Sequence, residues 1–168
     1  MKRAIAAVLA LALCALAGMG LRTWGVGVVR IAGTSMNNTL LSGDLALVTR
    51  FDYRGGRAPD FGDIVECRFP GREDTYIKRV MGLPGDEIAI SNGFFYRNGA
   101  SVSEPYVSSY AEDYAVTLGE DQYLLLGDNR AESYDSRMAD IGPVGASAFI
   151  GKVRFILWPL GRIGGVNS

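Results

Sequence analysis

From residue 43 onward, no stretch of this chain sustains an apolar repeat of 3.6 residues, so its larger part lacks the pattern of amphipathic helices. It carries short apolar and β-branched runs instead. These are residues 45–51 (LALVTRF), 64–69 (IVECRF), 75–81 (TYIKRVM), 87–90, 94–97, 123–126 and 152–158. Gly, Pro, Asn or Asp bounds each run, as strands require. Asn92-Gly93 and Asn98-Gly99 fall between runs and predict tight hairpin turns. Gly-Asp occurs four times, at Gly43-Asp44, Gly62-Asp63, Gly85-Asp86 and Gly127-Asp128; the first three read as turn punctuation. The expected fold is all-β, a coiled domain of antiparallel sheets with an irregular segment over residues 103–120.

The N-terminus differs in kind. Lys2 and Arg3 precede residues 4–21, which carry no charge. A helix of that length reaches about 27 Å, close to the hydrocarbon thickness of a bilayer. Arg22 closes the run, and Trp24 suits an interface. A cleavable signal peptide is the competing reading, with Ala15-Leu16-Ala17 as its cleavage site. The anchor is preferred, because the run exceeds a usual signal core and apolar sequence resumes at Val26. The expected division is a cytoplasmic residue 1–3 tail, a membrane helix at 4–21, an approach at 22–32 and an extracytoplasmic domain at 33–168.

Composition excludes several chemistries. The chain of 168 residues has 17 basic and 18 acidic side chains with no basic patch, which argues against nucleic acid as a partner. It contains no histidine, which removes Ser-His-Asp and Cys-His catalysis and the histidine-containing zinc sites. Cys14 and Cys67 are its only cysteines and provide no disulfide framework. No metal or cofactor is expected.

A serine nucleophile in such a chain needs a different base. Ser35 lies in Gly33-Thr34-Ser35-Met36-Asn37-Asn38-Thr39-Leu40, among residues that also suit a plain turn. A lysine can act as base where burial disfavours its ammonium form. Lys78 is the best placed, in mid-run with Tyr76 and Val80 on its face at a period of two. The competing reading makes it an exposed lysine of an edge strand.

Three segments in order resemble the bacterial type I signal peptidases, membrane-anchored Ser/Lys proteases. The first is Gly33-Thr34-Ser35-Met36 with Thr39-Leu40. The second runs from Tyr76-Ile77-Lys78-Arg79-Val80 to Gly85-Asp86, and the third is Gly127-Asp128-Asn129-Arg130 with Ser133, Asp135, Ser136 and Arg137. Glu104-Pro105-Tyr106 and Trp158-Pro159-Leu160 extend the likeness. The resemblance implies Ser35 as nucleophile and Lys78 as general base, with Ser133 hydrogen-bonded to the lysine. It implies an Asp135–Arg137 ion pair, and Asp128 and Asn129 shaping the same wall. Ile31, Met36, Leu40, Tyr76 and Ile77 match positions lining shallow pockets for small side chains. The Ser35 N–H would serve an oxyanion hole.

Two departures stand out. Asn38 takes a position where the family usually has proline. Gly33 offers no side chain where some members place a serine, which leaves a backbone group, a water or the Thr34 hydroxyl as second oxyanion donor. The implied function is removal of signal peptides from exported preproteins by a monomeric enzyme at the outer face of the cytoplasmic membrane, with preproteins and the lipid bilayer as partners. A self-cleaving repressor-type Ser/Lys protease and an inactive membrane-anchored β domain are the alternatives. The apolar N-terminus opposes the first, and the second needs no buried lysine.

Overall fold

The computed structural model describes residues 25–166, which form eleven β-strands and short 3₁₀ turns with no α-helix among them. The expected membrane helix at 4–21 lies outside the described residues. Among those described, no helix is long and apolar enough to cross a membrane.

The strands in chain order are β1 (Val26–Arg30), β2 (Leu45–Thr49), β3 (Ile64–Cys67), β4 (Tyr76–Gly82), β5 (Glu87–Ser91) and β6 (Phe94–Arg97). They continue with β7 (Ala100–Val102), β8 (Tyr114–Thr117), β9 (Leu124–Leu126), β10 (Phe149–Trp158) and β11 (Gly164–Gly165). The larger sheet has the order β1-β2-β10-β3-β4-β9, with β11 added to β10. The smaller is β7-β6-β5-β8, and every pairing is antiparallel.

The predicted runs become β2 to β6, β9 and β10, with ends shifted by up to three residues. Four strands fall outside those runs: β7 and β11 are only three and two residues long, while β1 and β8 are fuller departures from the expectation. β1 lies in the segment read as an approach to the domain, yet it pairs along its whole length with β2. β8 lies inside the segment read as irregular. Its Tyr114 and Val116 are half-buried while Ala115 and Thr117 are exposed, the alternation of a strand with one covered face. The Asn-Gly hairpins form as predicted: Asn92 and Asn98 have φ of 51° and 53°, and each is followed by a glycine at positive φ, the pattern of type I′ turns.

The first three Gly-Asp pairs share one device. In Leu41–Asp44, Asp60–Asp63 and Leu83–Asp86 the fourth N–H bonds the first carbonyl, and the glycine holds φ of 97°, 90° and 83°, the type II turn pattern. Each aspartate then accepts the first residue's N–H, at 2.9, 3.2 and 2.8 Å. Their second partners are distant cations: Arg162 for Asp44, Lys152 for Asp63 and Arg97 for Asp86. The turn motif thus also ties separate strands together.

Three apolar clusters fill the interior. Ile31, Met36, Leu40, Ala46, Val48, Ile64, Val153 and Ile156 form the first, beneath the segment that carries Ser35. A second packs Val65, Cys67, Phe69, Val80 and Leu125 on the other face of β3 and β4. The third joins the two sheets, with Met81, Leu124 and Leu126 against Ile88, Ile90 and Phe95.

Candidate active site

Ser35 sits in a loop that is closed at its base and held at two further points. Ile31 N–H to the Asp44 carbonyl, 2.8 Å, and Gly43 N–H to the Ile31 carbonyl, 2.9 Å, close the base. Met36 and Leu40 anchor the loop from below, both buried in the first cluster. From above, the Asn129 N–H donates to the Ser35 carbonyl at 3.0 Å and its Nδ2 to the Thr34 carbonyl at 3.2 Å. Both backbone carbonyls of the serine's own peptide frame are therefore fixed by the turn after β9.

Lys78 lies on β4, an interior strand between β3 and β9, and not on an edge. Its Nζ donates to Ser35 Oγ at 2.7 Å, and the residue is only 2% exposed. Its face is the apolar one, opposite Val65, with Tyr76 and Val80 as neighbours at a period of two. Burial there pushes the ammonium pKa below its ordinary value; Asp135 and Asp128 oppose this more weakly. Asp135 is already committed to Arg137, Nε to Oδ1 at 2.9 Å, and Asp128 to Arg79. Nearby acid is therefore charge-compensated, and the lysine is left to desolvation.

Asp128 joins three elements. Arg79 grips it in a fork, Nε to Oδ1 at 2.9 Å and Nη2 to Oδ2 at 2.8 Å, and the Thr39 hydroxyl donates to Oδ2. Arg79 also donates to the Gly62 carbonyl at 3.0 Å and lies 3.8 Å over the Tyr106 ring. Arg79 lies in the second segment of the resemblance, which implies no role for it. Its signal was a second charge beside Lys78 inside an apolar run, which by strand alternation must face the opposite side. Gly127 is a further omission. A Cβ at that position would lie 2.5 Å from Ser133 Cβ, and closer still to Ser133 Oγ and the Ser35 carbonyl oxygen. Only glycine lets the turn approach the nucleophile's backbone so closely.

Four of the expected pocket residues, Ile31, Met36, Tyr76 and Ile77, line a cleft of about 410 Å³ together with Ser35 and Lys78. Leu40 does not: it is 0% exposed and belongs to the core under the loop. The Asp135–Arg137 pair forms as expected, and Asp135 also accepts the Gly127 N–H at 3.0 Å. The bond expected between Ser133 and Lys78 does not form. Ser133 Oγ is buried without a hydrogen-bond partner, while the lysine amine is directed to Ser35. Thr34 Oγ donates to Glu132 at 2.7 Å, which commits the one proton it could offer an oxyanion.

Asn38 has φ of 80°, in the third position of a turn closed by Thr39 N–H to the Met36 carbonyl. Proline is locked near −65° and cannot take that conformation. The departure from the family's proline is thus matched by a different backbone. Asn38→Pro is expected to destabilise the chain by more than about 1 kcal/mol, whereas Asn38→Gly leaves stability close to the parent. Denaturant midpoints of the two variants check this.

Burial raises the Cys67 thiol pKa to about 12, so it is an inert core thiol and not a competing nucleophile.

Comparison with known proteins adds to this geometry. Residues 2–158 match the family described as signal peptidase, peptidase S26. The chain is 37% identical over 164 residues to a signal peptidase I of Bacillus caldolyticus, covering 88% of this chain and 87% of that protein. It is 36% identical over 154 residues to a probable signal peptidase I-2 of Synechocystis, covering 87% of this chain and 69% of the relative. The crystal structure of a signal peptidase I from Enterococcus faecalis matches with a TM-score of 0.51 at 31% identity, over 57% of this chain and 97% of the other.

Proposed function

The chain belongs to the peptidase S26 family of signal peptidases, and from that membership we propose that Ser35 and Lys78 are its nucleophile and general base in removing signal peptides from exported preproteins. The observation that carries the assignment is the 2.7 Å contact between Lys78 Nζ and Ser35 Oγ in a chain without histidine.

A substrate segment lies extended in the cleft beside Ile31, Met36, Tyr76 and Ile77. Neutral Lys78 takes the Ser35 proton as Oγ attacks the scissile carbonyl. The protonated lysine then gives that proton to the leaving amine. An acyl-enzyme on Ser35 remains, and Lys78 removes a proton from the water that hydrolyses it. The Ser35 N–H is the first oxyanion donor; with the Thr34 hydroxyl committed to Glu132, a backbone group or a water supplies the second. Asp128, Asn129, Asp135 and Arg137 position the wall that fixes the loop. Ser133 belongs to the same wall, where its buried hydroxyl has no hydrogen-bond partner.

The enzyme works at the outer face of the cytoplasmic membrane, anchored by residues 4–21. An apolar row, half-buried at Leu47 and exposed on either side of it, supports this placement. Val28, Leu47 and Phe155 are in register across β1, β2 and β10, and Phe155, Leu157, Trp158, Leu160 and Ile163 are exposed. Such a patch suits contact with a lipid surface. Proteolysis of intact spheroplasts should degrade the β domain; full protection would refute the orientation.

The pH dependence tests the base. Only the unprotonated amine accepts the serine proton, so kcat/KM should rise with pH through the Lys78 pKa and level off above it. Burial lowers that pKa from its ordinary 10.5, so the midpoint of the rise should lie below pH 10.5. A rate flat from mildly acidic to alkaline pH would contradict a lysine base.

A further inference from the structure

Glu66 is a buried acidic side chain in a cleft whose other charged members are the exposed Arg30 and Asp74 and the buried Lys78. It lies on β3 directly opposite Ile77 of β4, and it lines the cleft that holds Ser35, Lys78, Val29, Ile31 and Met36. Its side chain is 5% exposed. Strand alternation explains its direction: Glu66 shares a face with Ile64 and Ile77, the face of the first apolar cluster. The partner it has is weak. Arg50 Nη2 reaches Glu66 Oε2 at 3.4 Å, and the arginine side chain is 43% exposed. A long contact with a solvated cation compensates a buried carboxylate only in part.

This has a consequence for what the cleft accepts. An aliphatic substrate side chain laid against this wall strips water from the carboxylate and replaces it with nothing. A hydroxyl or ammonium replaces the lost water with a hydrogen bond. A site that offers a buried acceptor discriminates against the analogue that lacks the donor. Resting on the signal-peptidase reading above, we infer that Glu66 is a specificity residue, which makes the cleft select a substrate side chain bearing a hydrogen-bond donor over an aliphatic of the same size, at one position within four residues before the scissile bond. The plain structural role, in which Glu66 only ties Arg50 to β3, leaves substrate choice unaffected.

The test uses the full chain in detergent and model preproteins with alanine at positions −1 to −4 as the reference. Threonine and valine, nearly equal in shape, replace each alanine in turn. The quantity read is the ratio of kcat/KM for threonine over valine at each position. Within one enzyme that ratio cancels any shared loss of rate. The parent should favour threonine about tenfold at one position. Glu66→Val should remove or invert that preference, and Glu66→Gln should retain part of it through its amide oxygen. Arg50→Ala should sharpen the preference, because the carboxylate loses its partial compensation. Ratios equal in the parent and Glu66→Val at all four positions overturn the inference. Should Glu66→Val fail to fold, Arg50→Ala decides alone, an unchanged ratio counting against. A parent that leaves the alanine reference uncut refutes the peptidase reading and the inference with it; flat ratios on a reference that is cut refute the inference only.

Discussion

Lys78→Met is expected to reduce kcat for preprotein cleavage by at least about 10³-fold, and at the same time to raise the thermal midpoint at neutral pH. The two effects have one cause. The amine is buried beside Ser35 on a face shared with Val65, Tyr76 and Val80, and its pKa lies below the ordinary value. Between the lowered folded pKa and the unfolded value near 10.5 the unfolded chain binds the proton that the folded chain releases. Stability therefore rises with pH across that window, and below it the buried ammonium is a full burden on the fold. Methionine fills similar space and carries no charge. Activity and stability thus pull in opposite directions at this position. A stabilised variant with parental activity would remove Lys78 from the chemistry. A strongly destabilised one would mean that its bond to Ser35 outweighs the cost of burial.

Arg79→Met should be the most damaging change to the fold around the site. The ion pair with Asp128 is fully enclosed, its side chains 1% and 0% exposed. Removing one partner leaves the other charge buried, and such losses run to about 3–5 kcal/mol. The structural reach is wider than one contact. Asp128 receives the Thr39 hydroxyl from the Ser35 loop, and the adjacent Asn129 holds the Ser35 carbonyl. Arg79 also stacks on Tyr106, from the segment between β7 and β8. Loss of the arginine should therefore lower the urea midpoint and free the loop that presents the nucleophile. Replacing both partners together, Arg79→Met with Asp128→Leu, should recover much of the stability, since no charge stays buried. It should not recover activity, because Asp128 no longer receives Thr39. Equal midpoints for the single and double variants would show that the cost is lost packing and not an uncompensated charge.

The turns explain how much of the fold was legible in the sequence. Asn-Gly at 92–93 and 98–99 dictated two hairpins, and Gly-Asp at 43–44, 62–63 and 85–86 dictated three type II turns. These are local chemistries, fixed by which residues tolerate positive φ. β1 was missed because Val26–Arg30 is a short edge strand with Gly27 as its second residue, and its identity comes from pairing with β2. β8 was missed because it stands between acidic and serine-rich stretches and its alternation spans four residues. Both depend on partners distant in the chain, which no local pattern encodes.

The site divides in the same way. Ser35 and Lys78, 43 positions apart, were singled out through residue chemistry and family resemblance, and the fold brings their side chains into contact. Met36 and Leu40 looked alike as apolar neighbours of the serine. Their positions differ because Met36 reaches the cleft from the core, whereas Leu40 lies wholly within it. Nothing in the sequence separates two such residues, since the loop's path decides which one sees solvent. Glu66 read as one polar letter in the run IVECRF, and only the pairing of β3 with β4 sets it beside Ile77 in the cleft.

The central claim is tested most directly by incubating the purified full chain in detergent with a model preprotein and sequencing the new N-terminus of the product, with Ser35→Ala as control. The account predicts a single cut at the signal-peptide boundary by the parent, and none by Ser35→Ala at any pH. Cleavage by Ser35→Ala at the parental rate would contradict it, because that variant lacks the hydroxyl that the Lys78 amine contacts.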